Sequence, residues 1–181
     1  MSFAAPAFSD ETWLLREEEF DPRAARNRET VFTLANGYAG LRGSLEVYPG
    51  LGDPGFYMAG VFDRTAGHVH EIVNCPLWAA VLPNMDGFDF DLRVGEVLEY
   101  GRVLDLRKAL LHTHIVYRDD GKRTTRWDTC RLLHMDRKHL GVIWGRITAL
   151  DYDGQVQLTS PLDAHAVKYG SSEGLNHFAD I

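Results

Sequence analysis

The sequence predicts an all-β protein, an antiparallel two-sheet β-sandwich with few short helical turns. Three observations carry that prediction. Glycine is frequent, 17 in 181 residues, and several glycines follow Asn or Asp at the spacing where a tight hairpin needs positive φ. Between such turns, apolar and polar residues alternate with period two. Few stretches hold an i, i+3, i+4, i+7 apolar set unbroken by Gly, Pro or alternation, so helices have little to grow from. At 45% hydrophobic, 25% charged and 11% aromatic residues, the chain has the balance of one globular domain with its own core.

Residues 1–19 read as a lead-in strand and residues 20–181 as the sandwich domain. Pro22 to Glu29 reads as a short helical or irregular connection, with Pro22 at a permitted first position. Asn36-Gly37 then separates Thr30 to Leu34 from Tyr38 to Arg42 as a hairpin. The stretch from Tyr48 to Phe56, rich in Gly and Pro, is a surface loop within the domain. Asp86-Gly87 divides Leu77 to Leu82 from Phe88 to Leu92, where Asp89 and Asp91 alternate with apolar residues as a solvated strand face does. Asp105 to His112 has room for a helical turn or two. Asp120-Gly121 joins the strands Leu111 to Tyr117 and Arg123 to Trp127, and Asp153-Gly154 joins Gly141 to Thr148 and Gln155 to Thr159. Four hairpins in so short a chain point to two packed antiparallel sheets.

Lys and Arg number 19 against 26 Asp and Glu, a net charge of −7, without the basic block that nucleic acid requires. Cys75 and Cys130 lack a CxxC spacing, so no zinc or redox motif is written and reduced thiols are expected. The N-terminus has no charged region followed by an apolar one, and no run reaches about 18 apolar residues. A cytoplasmic protein without membrane contact is the resulting expectation.

Candidate chemistry is sparse. The pairs His68/His70 and His112/His114 each share a strand face, but neither has the further ligands that a metal needs, and no metal site is assigned. Carboxylates such as Glu96, Glu99, Asp128 and Asp151 are numerous without a pattern that pairs an acid with a base. No GxSxG elbow or phosphate loop occurs. Among four tryptophans, Trp78 and Trp144 lie in apolar runs and read as core. Trp13 and Trp127 lie among charged residues and are the candidates for stacking on a sugar ring.

The run Arg28-Glu29-Thr30-Val31-Phe32-Thr33-Leu34-Ala35-Asn36-Gly37-Tyr38-Ala39-Gly40-Leu41-Arg42-Gly43 resembles the opening motif of glycoside hydrolase family 65, which holds maltose, trehalose and kojibiose phosphorylases and some acid trehalases. Ala35 stands where the family has glycine. Phe20-Asp21-Pro22, Tyr57 to Phe62, Ile72 to Pro76 leading through Asp86-Gly87 to Asp91-Leu92, and Asp163-Ala164 are similar to further family segments in the same order.

The resemblance implies a sandwich of the super-sandwich type placed before an (α/α)6 barrel that carries the catalytic glutamate. It implies an α-glucosidic disaccharide as substrate and inversion of the anomeric centre. Inorganic phosphate is the co-substrate in the phosphorylases, and no other cofactor is implied. The barrel lies outside these 181 residues, so no catalytic residue is assigned, the chain alone is expected to be inactive, and the sandwich is expected to be cut short at its C-terminal end. The barrel, and a second copy in a homodimer, are the expected partners.

Physically, Asn36-Gly37 makes a turn, Gly40 and Gly43 let backbone approach closely, and Arg42 ties the corner to a carboxylate or to carbonyls. The functional reading of the same corner is that Asn36 and Arg42, with His68, His70 and Glu71 in the loop from Asp63 to Glu71, shape the sugar site from the barrel-facing side. Two alternatives from another class are a free-standing carbohydrate-binding module and a dimerisation module.

Overall fold

The computed structural model describes residues 7–47, 49–63 and 70–164. In chain order the elements are β1 (Leu14–Glu17), α1 (Ala25–Val31), β2 (Leu34–Ala35), β3 (Ala39–Leu41), β4 (Phe56–Met58), β5 (Phe62–Asp63), β6 (Glu71–Ile72), β7 (Leu82–Met85), β8 (Phe88–Asp89), β9 (Glu96–Asp105), β10 (Leu110–Arg118), β11 (Thr124–Leu133), β12 (Gly141–Ala149) and β13 (Val156–Thr159). One layer is a five-stranded sheet in the order β1-β9-β10-β11-β12, antiparallel throughout. The small sheets β2-β3-β4 and β13-β7-β8 cover its inner face, and β5 pairs with β6. The all-β reading holds.

Alternation assembles the sandwich. Along β10, Leu111, Thr113, Ile115 and Tyr117 point inward and are buried, while His112 and His114 point outward. Two apolar clusters fill the space between layers. One gathers Phe32, Leu34, Leu41, Leu77, Leu104, Leu111 and Leu133; the other gathers Leu45, Met85, Phe90, Ile115, Tyr117 and Trp127. Between them a polar row crosses the sheet through the registers Glu17↔Arg102, Arg102↔Thr113 and Thr113↔Thr129. Hydrogen bonds from this band fasten the layers. Arg102 donates to the Gly43 carbonyl at 2.5 Å and lies 3.5 Å from Glu17, and Arg131 donates to the Ser44 carbonyl at 2.5 Å and lies 3.2 Å from Glu46.

Four local expectations are corrected. Thr30 and Val31 belong to α1. That helix follows a 3-10 turn at Pro22–Ala24 whose cap, Asp21, accepts a hydrogen bond from the Arg23 amide, so the Asn36-Gly37 hairpin is shorter than predicted. Asp105 to His112 is a strand connection rather than helix, with Ala109 at φ 52° and the Asp105 carboxylate accepting the Lys108 and Ser9 amides at 3.0 and 2.8 Å. The run Leu77 to Leu82 enters a strand only at Leu82; Leu77 instead forms an isolated bridge with Asp163. Finally, Asp153-Gly154 joins no hairpin, because β12 pairs with β11 whereas β13 crosses to the other layer and pairs with β7. Gly154 lets the Asp86 carboxylate approach, since a Cβ there would fall 2.1 Å from one of its oxygens and the side chain would have to turn away.

The two remaining Asp-Gly turns lie where predicted, the first between the shorter strands β7 and β8, the second with its positive φ at Lys122, 67°, and not at Gly121. Asp86 and Gly87 take φ of 51° and 88°, the two positive values of a primed turn whose twist suits antiparallel strands. Asp120-Gly121 joins β10 to β11.

Candidate functional site

The motif corner is built around Asn36, which is 5% exposed. Its side-chain oxygen accepts the amides of Tyr38 and Ala39 at 3.1 and 2.8 Å, closing the turn. Its amide nitrogen donates to the carbonyls of His134 and Lys138 at 2.9 and 3.0 Å. Asn36 thus clasps the β2-β3 hairpin to the loop between β11 and β12, and both ends of its side chain are committed to that task.

Arg42 lies at the far end of β3. Its guanidinium donates to the Arg26 carbonyl at 3.2 Å and stands 3.5 Å from Glu29. The Glu29 carboxylate also accepts the Asp53 amide at 2.7 Å. Burial pushes its pKa up, and the Asp53 amide and Arg42 only partly oppose the shift. The glycines of this region make room for the pair. A Cβ on Gly52 would fall 2.4 to 2.6 Å from the Glu29 carboxyl group, one on Gly55 would meet Tyr57 and Arg42, and one on Gly43 would strike the Phe32 backbone at 2.8 Å. Arg42 is therefore a packed strut, as the physical reading of the motif anticipates.

Among the described residues, the candidates are held by different partners. Asn36 reaches the β11-β12 loop and Arg42 reaches α1. Glu71 sits opposite Asp63 in the β5-β6 pair, His70 is exposed, and His68 lies outside the described residues. Beside Asn36, a groove of about 450 Å³ is lined by Tyr38, Phe56, Met58, Trp78, Leu133 and His139, among others. Tyr38 meets His139 edge-on at 4.3 Å between ring centroids, and Phe56 meets Trp78 at 6.2 Å. Gly141 admits the Trp78 ring, which a Cβ there would strike at 2.4 Å.

The tryptophan reading needs correction. Trp13 is 44% exposed at the end of a 3-10 turn, as a platform requires. Trp127 is 1% exposed, packed with Phe90 in the second apolar cluster, and has no face to offer a sugar. Trp144, read as core, stands half-buried on the outer face of the large sheet. The registers place Gly101, His114, Asp128 and Arg146 in one outer row, and Val103, His112, Cys130 and Trp144 in the next. A groove of about 320 Å³ runs over both rows.

In that groove His114 lies between two carboxylates, with Nδ1 2.7 Å from Asp128 and Nε2 3.1 Å from Glu99. The Arg146 guanidinium rests over the Trp144 ring at 5.6 Å. Burial lowers the His112 pKa and pushes the Cys130 thiol up to about 11, so this Cys–His neighbourhood is neutral and unreactive. Among the described residues, no group of three or more His, Cys, Asp or Glu side chains is arranged to hold a metal ion. No helix among them is long and apolar enough to cross a membrane.

Comparison with known proteins adds the family context. The family profile described as glycosyl hydrolase family 65, N-terminal domain, matches residues 15–180. The chain is 35% identical over 147 residues to a kojibiose phosphorylase of Caldanaerobacter subterraneus subsp. tengcongensis, which covers 81% of this chain and 19% of that protein. It is 27% identical over 188 residues to an α,α-trehalose phosphorylase of Thermoanaerobacter brockii, covering 93% of this chain and 24% of the relative. A solved structure, described as a proposed kojibiose phosphorylase from the human microbiome, superposes with a TM-score of 0.78 over 90% of this chain and 23% of that one, at 21% identity. That last likeness speaks for the fold. The chain spans about a fifth of the length of the curated relatives it matches, 19% and 21% for two kojibiose phosphorylases among them.

Proposed function

Because the chain belongs to glycosyl hydrolase family 65, of which it is the N-terminal domain, we propose that it is the β-sandwich scaffold of an inverting α-glucoside phosphorylase or hydrolase and leaves catalysis to an (α/α)6 barrel. The observation that carries this is the match to the N-terminal domain across nearly the whole chain, set against the much greater length of the phosphorylases. Kojibiose and trehalose phosphorylases among the relatives favour phosphorolysis of an α-glucosidic disaccharide, with inorganic phosphate as co-substrate, in the cytoplasm.

In this reading the motif corner works at second hand. Asn36 fixes the loop that carries His139, and Arg42 with Glu29 holds the end of β3 against α1. The groove at Tyr38, Trp78 and His139, together with the side of the molecule bearing His70 and Glu71, is the surface offered to the barrel. The test is glucose 1-phosphate release from kojibiose, trehalose and maltose with phosphate, and glucose release without it. The purified 181-residue chain is expected to show neither, and robust turnover by it would overturn the proposal.

A dimerisation role is the second reading, favoured by the exposed apolar side chains of Leu82, Val156 and Leu158 at 39%, 44% and 58% on paired strands of the second layer. Light scattering at high protein concentration decides it, since a strictly monomeric sample removes this reading.

A further inference from the structure

We propose that the polar band between the layers binds one water molecule, held by Arg102 and Glu17 where β1 and β9 meet the segment that follows β3. A cavity, an unpartnered nitrogen and an under-bonded carboxylate carry the site, independently of the scaffold reading.

The cavity measures about 20 Å³ and is lined by Glu17, Glu29, Gly43, Leu45, Tyr100 and Arg102, among others. That is room for a single water-sized molecule. Arg102 is 2% exposed, with its guanidinium over the Phe32 ring at 4.8 Å. Nη2 donates to the Gly43 carbonyl and Nη1 stands 3.5 Å from Glu17. The buried Nε–H, in contrast, has no hydrogen-bond partner among the described residues. A charged donor left unpaired in the interior costs more than a neutral one, so this position calls for an acceptor.

Glu17 shows the converse. Its side chain is 4% exposed, yet Tyr100 Oη, Arg28 and Arg102 stand off at 3.2, 3.3 and 3.5 Å. Charge-assisted bonds from a guanidinium close to about 2.7–2.9 Å, and a carboxylate has about four lone-pair sites to fill. Glu17 therefore has capacity for a further donor. One small cavity thus has a donor without an acceptor on one wall and a carboxylate short of a donor on another. Water is both donor and acceptor.

Other occupants fit less well. A cation would face the guanidinium groups of Arg102 and Arg28, and among the described residues no group of three or more His, Cys, Asp or Glu is arranged to hold a metal. An anion would face the carboxylates of Glu17 and Glu29, both buried. Cavities that stay dry are lined by apolar groups, whereas this band is polar along its length. The hydroxyls of Ser44, Thr113 and Thr129 are also buried without a hydrogen-bond partner among the described residues.

The test is a crystal structure of the 181-residue chain, joined to water-selective NOE spectra of the same protein in solution. A spherical peak about 2.7–3.2 Å from Arg102 Nε and from a Glu17 oxygen is expected, with a cross-peak between the Arg102 Nε proton and water. Crystals soaked in rubidium or bromide are expected to show no anomalous peak in the cavity. Glu17→Leu with Arg102→Met removes acceptor and donor together, a replacement that buried ion pairs tolerate, and the folded double variant is expected to lose the density. Absence of the density or of the cross-peak in the unmodified chain overturns the proposal. So does an anomalous ion peak in the cavity, or density that survives in the double variant. Should the double variant fail to fold, the unmodified chain decides alone.

Discussion

On the inner face of the five-stranded sheet the row Glu17, Arg102, Thr113 and Thr129 is sealed between the layers, whereas one residue along the same strands the row Gly101, His114, Asp128 and Arg146 faces outward. Both rows carry charge, but they use it differently. Arg102 and Arg131 are 2% and 1% exposed, and each spends its guanidinium on a carbonyl of the opposite layer and on a buried glutamate. His114 and Asp128 keep about a third of their side-chain surface exposed, 35% and 33%. Inner charge is a fastener between the layers. Outer charge is paired along the face, His114 between Asp128 and Glu99, while still touching water.

The largest effect that sharpens this contrast is expected at Glu46, which is 0% exposed beside Arg131. Glu46→Ala leaves a buried guanidinium uncompensated, and urea denaturation should show a loss of about 3–5 kcal/mol. Replacing both partners with apolar residues, Glu46→Leu with Arg131→Met, should recover most of it, because the desolvation cost disappears along with the attraction. Asp128→Ala on the outer face should cost less than about 1 kcal/mol. Equal losses on both faces would erase the distinction.

How much of this was legible in the sequence depends on what was asked. Turn chemistry and period-two alternation gave the sheet architecture, since Asn36-Gly37 and Asp86-Gly87 act through the positive φ of their glycines, while the Asp120-Gly121 turn takes its positive φ one residue later, at Lys122. Asp153-Gly154 carries the same local signal, yet its flanking strands belong to different sheets, because pairing partners are chosen by packing and not by the turn. Similarly, the clasp of Asn36 on His134 and Lys138 joins segments 98 and 102 positions apart, which no local pattern encodes.

The tryptophans are a different case, where the signal was present. Trp127 sits between Arg126 and Asp128, but in a strand immediate neighbours point to the opposite face, so charged neighbours mark Trp127 itself as inward. Ile143 and Gly145 flank Trp144 and point inward, which sends Trp144 out. Parity along the strand, rather than the average polarity of a window, carries the site.

The next effect in size separates the clasp from a ligand role. Asn36→Ala removes four hydrogen bonds of a 5% exposed side chain, and thermal unfolding should report a loss of about 2–4 kcal/mol. An unchanged unfolding midpoint in Asn36→Ala would show that the clasp does not hold the two segments together.

The smallest effect, and the most discriminating in sign, lies at Gly101. Inside a strand, glycine costs backbone entropy and packs nothing, so Val in its place should stabilise the sheet by about 0.5–1 kcal/mol where space allows. A Cβ at Gly101 meets no atom within 4 Å, whereas one at Gly43 would lie 2.6 Å from the Phe32 Cβ. Gly43→Ala should therefore destabilise by about 1–3 kcal/mol, and the two substitutions should move the urea midpoint in opposite directions. A glycine kept where valine would be more stable needs a reason outside the fold. If Gly101→Val raises the midpoint, the packing of the fold does not demand glycine there. If it lowers the midpoint, Gly101 is one more packing glycine like Gly43, and the difference between the two faces narrows to exposure alone.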